Sequence, residues 1–233
     1  MLKTINMKHA LFLLSLVLFG NGIFSQGLKP TDKLALLKGV VTNFKGKPLG
    51  KEIIMFYNEK TKALVKVNTD INGKFEALIP VGGVYSLKYK TFTADVDYTK
   101  MEVPMDKEAT YEVGIKIEPP KDFVLENVYF DTGKSSLKPN SFKALNDLVE
   151  TLKIKNTMVV EIQGHTDNVG KDEENMKLSQ DRADEVRKYL VSKGIESSRV
   201  TSKGYGPTMP IADNGNDSGK AKNRRTSLKV VKE

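Results

Sequence analysis

The sequence predicts two domains of different class: an all-β sandwich, followed by an α/β layer sandwich in which helices pack on a small mixed sheet. Short runs rich in Val, Ile, Tyr, Phe and Thr recur every eight to twelve residues in the first half of the chain. A proline pair then interrupts a charged stretch, and beyond it apolar residues recur at helical spacing between strand-like runs. We assign residues 26–116 to the sandwich, 117–122 to a linker and 123–233 to the second domain.

The first 25 residues have the pattern of a secretory signal peptide. Lys3 and Lys8 precede the apolar run ALFLLSLVLF, and small residues follow near Ser25. The run is too short to span a bilayer as a stable helix, which needs about 20 apolar residues. We therefore predict that residues 1–25 are removed and that a mature chain without a transmembrane segment begins at Gln26.

The amino-acid composition excludes cysteine chemistry and points to anion binding in the second domain. The chain has no cysteine, so it has no disulfide, thiolate metal site, cysteine nucleophile or acylated cysteine. Its net charge of +8 is spread over interspersed lysines and acids, which predicts a solvated surface and no nucleic-acid partner. All five arginines lie at or after position 182. Arginine is suited to forked recognition of carboxylates, so anion binding is expected in the second domain.

Seven strand-like runs in the first domain are separated by turn residues such as Asp70-Ile71-Asn72-Gly73. The segment V-x-TDINGKF-x-ALIPVGGVYSLKYK resembles the carboxypeptidase-regulatory or transthyretin-like family over about residues 36–116. The resemblance implies an Ig/transthyretin-like sandwich with a spacer or adhesion role, and it assigns no chemistry. The runs are LLKGVVT, EIIMFY, ALVKVNT, KFEALI, VYSLKYK, ADVDYT and TYEVGIK.

In the second domain, two helices and four strands are predicted. Apolar spacing indicates helices over Ser141–Leu152 and Glu173–Lys193. On the longer helix, Arg182 and Asn175 fall within the apolar arc, although a guanidinium is costly to bury without an anion. Arg182 is therefore half of a structural ion pair, an arginine whose side chain extends past the core to solvent, or a ligand-binding group. The predicted strands are FVLENVYF, MVVEIQG, Val200–Tyr205 and Thr226–Val231.

A set of motifs favours the interpretation of Arg182 as a ligand-binding group. Gly164-His165-Thr166-Asp167-Asn168-x-Gly170 follows a strand, so Asp167 lies on a strand-end loop where binding sites are common. Together with Val128-Tyr129-Phe130-Asp131, Leu178-Ser179-x-x-Arg182-Ala183, Gly204-Tyr205-Gly206 and Asn223-Arg224-Arg225, this set resembles the C-terminal domain of the outer membrane protein A family. Peptidoglycan-associated lipoprotein and the flagellar stator protein MotB share that domain. The resemblance covers about residues 124–231.

This resemblance implies non-covalent binding of peptidoglycan through its diaminopimelate residue, in the periplasm at the outer membrane of a Gram-negative bacterium. It implies that Asp167 receives the ammonium group of diaminopimelate and that Arg182 pairs with its carboxylate. Outer-membrane or envelope-complex proteins are the further partners it implies. The remaining site residues, also carried over from the resemblance, are Asn175, Arg224, Phe130 and Asp131.

Other chemistries fit the sequence less well. His165 and Asp167 are too few ligands for a transition-metal site, so we expect a structural histidine and no metal. Asp131-Thr132-Gly133 and Asp217-Ser218-Gly219 mimic the paired motifs of aspartic proteases, but no apolar run precedes the second. We predict neither an enzyme nor a cofactor. The alternative is a structural or adhesion protein of the envelope with a degenerate site.

Export is directly testable. We expect the protein recovered from the periplasmic fraction to begin at or near Gln26, because the apolar run and the small residues after it direct secretion and cleavage. N-terminal sequencing of the folded protein checks this. Folded protein that retains Met1 would contradict the prediction.

Overall fold

The computed structural model describes residues 2–4, 27–131 and 133–232, and the chain divides into two compact units, residues 1–119 and 120–233. The predicted signal peptide lies outside the described residues, apart from a three-residue strand near its start. Within these ranges, none of the helices combines the length and the apolar character needed to cross a membrane.

Within the described residues, the first unit contains eight strands in two four-stranded sheets. One sheet has the strand order β1-β8-β2-β5 and the other has the order β4-β3-β6-β7. All seven runs predicted to be strands are strands, from β2 to β8. The bounds are β1 Leu2–Thr4, β2 Leu34–Thr42, β3 Ile53–Asn58, β4 Leu64–Asn68, β5 Lys74–Pro80, β6 Gly83–Lys90, β7 Asp95–Val103 and β8 Thr110–Lys116.

Alternating burial explains how these strands share one core. In β5, Phe75 and Ile79 are buried whereas Lys74 and Glu76 are exposed, the pattern of a strand with one face toward apolar neighbours. Buried residues of both sheets belong to a single apolar cluster, in which the rings of Phe56 and Phe75 lie 5.9 Å apart. Kinship of this unit with the transthyretin-like family stays a prediction.

The second unit is built on a small mixed sheet, as the sequence predicts, and its strand order is β11-β10-β12-β9. Strands β10 and β11 are parallel and are connected through helix α2, whereas β12 runs antiparallel to both β10 and β9. In the part of the chain that is described, the bounds are β9 Asp122–Val124, α1 Phe142–Ile154, β10 Val159–Gly164, α2 Asp172–Ser192, β11 Val200–Gly204, α3 Asp217–Asn223 and β12 Thr226–Lys232.

One local prediction in this unit is wrong, and one short helix was not predicted. The strand predicted over FVLENVYF ends at Val124, because Asn127 adopts a left-handed conformation with φ of 60° that a continuous strand cannot accommodate. Phe130 returns to strand geometry only in an isolated bridge with Leu137. Helix α3 was not predicted, since its seven residues, DSGKAKN, contain no apolar periodicity.

Helix α2 lies unusually close to the sheet where two neighbouring strands both end in glycine. A Cβ atom added to Gly164 of β10 would lie 2.0 Å from the carbonyl oxygen of Ser179. One added to Gly204 of β11 would lie 2.4 Å from the backbone nitrogen of Gln180. Only glycine at both positions lets the helix backbone approach the strands this closely. The pair therefore fixes the height of α2 above the sheet.

His165, the residue after β10, is buried beside this contact. It is 2% exposed, and its ring stacks on Tyr205 with centroids 5.5 Å apart. Both ring nitrogens are buried and lack a hydrogen-bond partner among the described residues. Burial, with a smaller effect from the Arg225 charge, lowers the pKa of His165 to about 4. The ring is therefore neutral at physiological pH, which is the structural role expected from the sequence.

We predict that Gly164→Ala lowers the free energy of unfolding by about 1–3 kcal/mol, because the new methyl group meets backbone that cannot move without shifting α2. Urea unfolding of the mature chain measures the change. Gly215→Ala is the matched control, since its Cβ would meet only the side chain of Asp213 at 3.1 Å. Equal stability of the two variants would show that α2 is not seated on Gly164.

Acid should weaken the fold through His165. Between pH 6.5 and about 4 the unfolded chain binds a proton at His165 that the folded chain excludes. The free energy of unfolding therefore has its full value, as far as His165 is concerned, above pH 6.5, and it decreases as the pH falls toward 4. We expect a loss of up to about 3 kcal/mol. The mature chain has no other histidine, so urea midpoints at pH 7, 6 and 5 isolate the effect. His165→Gln should flatten the profile, and an unchanged slope would contradict the assignment.

Candidate functional site

A cleft of about 890 Å³ opens at one end of the second unit. Its walls come from the β9–α1 loop, the loop after β10, helix α2 and helix α3. Asp131 is the one predicted site residue that does not line it. Elements far apart in the sequence thus bring together the other five predicted residues, which are Phe130, Asp167, Asn175, Arg182 and Arg224.

Asp167 supplies the buried negative charge. It is 8% exposed, its Oδ1 accepts a hydrogen bond from the backbone N–H of Val169, and its Oδ2 accepts one from Nη1 of Arg224 at 2.5 Å. Burial acts to raise the pKa of Asp167, but these hydrogen bonds and the charges of Arg224 and Lys220 outweigh it and hold the pKa below its ordinary value. The group is therefore a carboxylate at any physiological pH.

Arg182 is held by contacts that leave the outer end of its guanidinium available. Its Nε donates to the carbonyl of Lys134 at 3.0 Å, and its Cζ lies 5.1 Å from the centre of the Phe130 ring. Nη1 and Nη2 have no hydrogen-bond partner among the described residues. Burial and the Arg224 charge lower the pKa of Arg182, while Asp167 acts in the opposite direction. A guanidinium nevertheless stays charged in proteins.

The ion pair of the cleft differs from the structural pair that the sequence left open. Within the described residues, Asp167 pairs with Arg224 and not with Arg182. The Arg224 side chain is 48% exposed, and that of Asp167 is 11% exposed. Arg182 therefore does not form the ion pair with the buried carboxylate. This geometry favours the ligand-binding interpretation of Arg182.

Helix α2 presents two adjacent stripes. Leu178 and Tyr189 are only partly buried. Asn175, Leu178 and Arg182, at helical spacings of three and four, line the cleft. The Nδ2 of Asn175 donates to the carbonyl of Val169 at 3.0 Å, which braces the loop that carries Asp167. The stripe that packs inward consists of Asn175, Ser179, Ala183, Val186 and Leu190.

Asp131 does not itself line the cleft, but it stabilises a turn whose Gly133 does. Its Oδ2 accepts from the hydroxyl of Ser136 at 3.0 Å, and its carbonyl accepts from the backbone N–H of Lys134 at 3.0 Å. The turn presents the Lys134 carbonyl to Arg182. Asp131 thus acts on the site through another residue. Within the described parts of the chain, no cluster of three or more His, Cys, Asp or Glu side chains could hold a metal ion.

Sequence reasoning missed several residues that line the cleft, among them Lys138, Lys220 and Thr166. The hydroxyl of Thr166 is buried and has no hydrogen-bond partner among the described residues. Lys220 belongs to α3, whose start has a signal that could have been read: Asn216 caps the helix by accepting from the N–H of Gly219 at 2.8 Å. Asp217 also lines the cleft, with a fully exposed side chain.

The OmpA family model matches residues 129–224, a range that includes all five of the predicted residues in the cleft. Outer membrane porin F of Pseudomonas fluorescens is 44% identical over 104 residues, 45% of this chain and 32% of that protein. The peptidoglycan-associated lipoprotein of Buchnera aphidicola is 36% identical over 101 residues, 43% and 58% respectively. Peptidoglycan-binding protein ArfA of Mycobacterium bovis is 37% identical over 103 residues, 44% and 32%.

The chain spans between about a third and somewhat more than half of the length of these relatives. The family match falls entirely within the second unit and includes helices α1 to α3, strands β10 and β11, and most of the loop residues that line the cleft. The second unit of this chain therefore carries an OmpA-like domain.

Proposed function

We propose that the OmpA-like domain binds peptidoglycan non-covalently through the diaminopimelate residue of its stem peptide, and thereby tethers the cell wall to the outer membrane or to an envelope complex. Two relatives are named for peptidoglycan association or binding. The observation that carries the proposal is the arrangement of Asp167 and Arg182 in one cleft, a buried carboxylate and a braced guanidinium whose Nη atoms have no partner in the described chain.

The chemistry of the ligand matches this pair. The side chain of diaminopimelate ends in an ammonium and a carboxylate on the same carbon, so an acceptor and a planar fork of donors suffice to hold it. The lowered pKa of Asp167 keeps the acceptor ionised. Arg182 is restrained at Nε and against the Phe130 ring, so less side-chain entropy is lost when its remaining nitrogens engage a carboxylate.

Arg224 sets how the ammonium is received. A carboxylate offers about four lone-pair directions, and Arg224 and the Val169 N–H occupy two of those on Asp167. The ligand ammonium would share the carboxylate with Arg224 or displace it. Arg224 would then be free to turn its half-exposed side chain toward the ligand carboxylate. In this arrangement Arg224 pairs with Asp167 before the ligand binds and contacts the ligand afterwards.

The rest of the chain fits an envelope location. We propose that the two-sheet unit serves as a spacer or adhesion module, and that the protein acts in the periplasm, with outer-membrane or envelope-complex proteins as its further partners. Its sequence resemblance supports a non-enzymatic role. Fractionation and a pull-down with purified insoluble peptidoglycan test the location and the binding.

Removing either charge of the pair should abolish most binding. We expect Asp167→Ala and Arg182→Ala each to cost about 2–5 kcal/mol, or roughly thirtyfold or more in affinity, because each leaves a ligand charge partly desolvated and unpaired. Titration with a soluble diaminopimelate-containing stem peptide measures this. Arg182→Lys should also bind weakly, since a lysine keeps the charge but loses the fork.

The controls separate binding from stability. Glu174→Ala and Lys188→Ala remove exposed charges from α2, with side chains 70% and 77% exposed, and should bind like the wild type. Thermal melting of every variant is measured in parallel. If Arg182→Ala binds normally but melts several degrees lower, the arginine is structural and its assignment to the ligand is wrong.

A further inference from the structure

The cleft holds more positive charge than the end of a diaminopimelate side chain can neutralise. Four cations line it, and two carboxylates, Asp167 and Asp217, oppose them, which leaves a net charge of +2. A zwitterionic group adds no net charge. Like charges gathered in one cleft repel one another, so a ligand with additional negative charge relieves the excess. The four cations are Lys138, Arg182, Lys220 and Arg224.

Lys220 is the cation best placed to meet such a charge. It lies on α3, one turn before Arg224, and its side chain is only 27% exposed, whereas the neighbouring Asp217 side chain is fully exposed. The two are 3.8 Å apart, so the pair is long, solvated and weak. The Lys220 charge also reaches Asp167, whose pKa it helps to lower. Lys220 is thus a cleft cation without a strong partner.

We propose that Lys220 binds a second carboxylate of the ligand, so that the site selects stem peptides whose carboxylates are free over those in which they are amidated. The inference rests on the proposed function and names the form of the ligand that the site takes. A stem peptide offers two sources of this carboxylate. One is the α-carboxylate of the γ-linked glutamate that precedes diaminopimelate, and the other is the C-terminal carboxylate.

Three soluble tripeptides distinguish these sources: L-Ala-γ-D-Glu-diaminopimelate, its glutamate α-amide and its C-terminal amide. Each is titrated calorimetrically into the mature wild-type chain, Lys220→Gln and Lys222→Gln. Lys222 is the matched control, because it lies on the same helix and carries the same charge but is exposed and does not line the cleft. The side-chain end of diaminopimelate is unmodified in all three peptides.

We expect one amide to bind the wild type about three- to tenfold more weakly than the parent peptide, as for loss of one partly exposed charge contact. Lys220→Gln should weaken the parent by the same factor and erase its advantage, whereas Lys222→Gln should preserve it. The inference is overturned if Lys220→Gln retains the discrimination, or if the wild type binds all three peptides equally. If the wild type binds none of them, the proposed function fails as well.

Discussion

The close seat of helix α2 on two glycines is the constraint on which the rest of the second unit depends. Gly164 and Gly204 end neighbouring parallel strands, and the helix crosses them at Ser179 and Gln180. Ser179 reinforces the contact, because its hydroxyl accepts from the N–H of Gly206 at 2.9 Å. Strand ends and helix are thereby locked at a single distance. Asp167, in the loop after β10, and Arg182, on α2, are therefore held at fixed positions by this contact.

From this frame the charges of the cleft acquire fixed positions. Asp167 follows Gly164 by three residues, and Arg182 follows Ser179 by three. Each charged residue therefore lies close in sequence to the contact between the glycine and the helix. Two further braces complete the arrangement: Asn175 ties α2 to the Val169 carbonyl, and the Lys134 carbonyl holds Nε of Arg182. Charges held by backbone contacts need little reorganisation when a ligand arrives, which favours affinity over adaptability.

Much of the architecture follows from the sequence, since periodicity reports burial. Alternation located all seven strands β2 to β8, and helical spacing placed both ends of α2 within one residue. The failures are local. A left-handed Asn127 cuts short the strand predicted through it, and α3 is too short and too polar to have a period. Both are matters of turn and cap chemistry that apolar patterns do not report.

Which residues line the cleft was predictable only from the family resemblance. Asp167 and Arg224 are 57 residues apart, and no rule of sequence spacing predicts that they come together. The pairing inside the cleft was not predictable at all. Arg182, Lys220 and Arg224 all interact electrostatically with Asp167, but Arg224 forms the ion pair while Arg182 lies against Phe130. Asp131 shows the reverse case, a residue in the motif whose contribution runs through the Lys134 turn.

In the proposed complex, the Asp167–Arg224 pair affects how quickly the site exchanges its ligand. When the ligand ammonium leaves Asp167, Arg224 is close enough to restore the ion pair, so the departure does not leave a buried carboxylate unpaired. We expect this exchange to lower the barrier to dissociation. A protein that tethers peptidoglycan as proposed would then move readily from one stem peptide to the next.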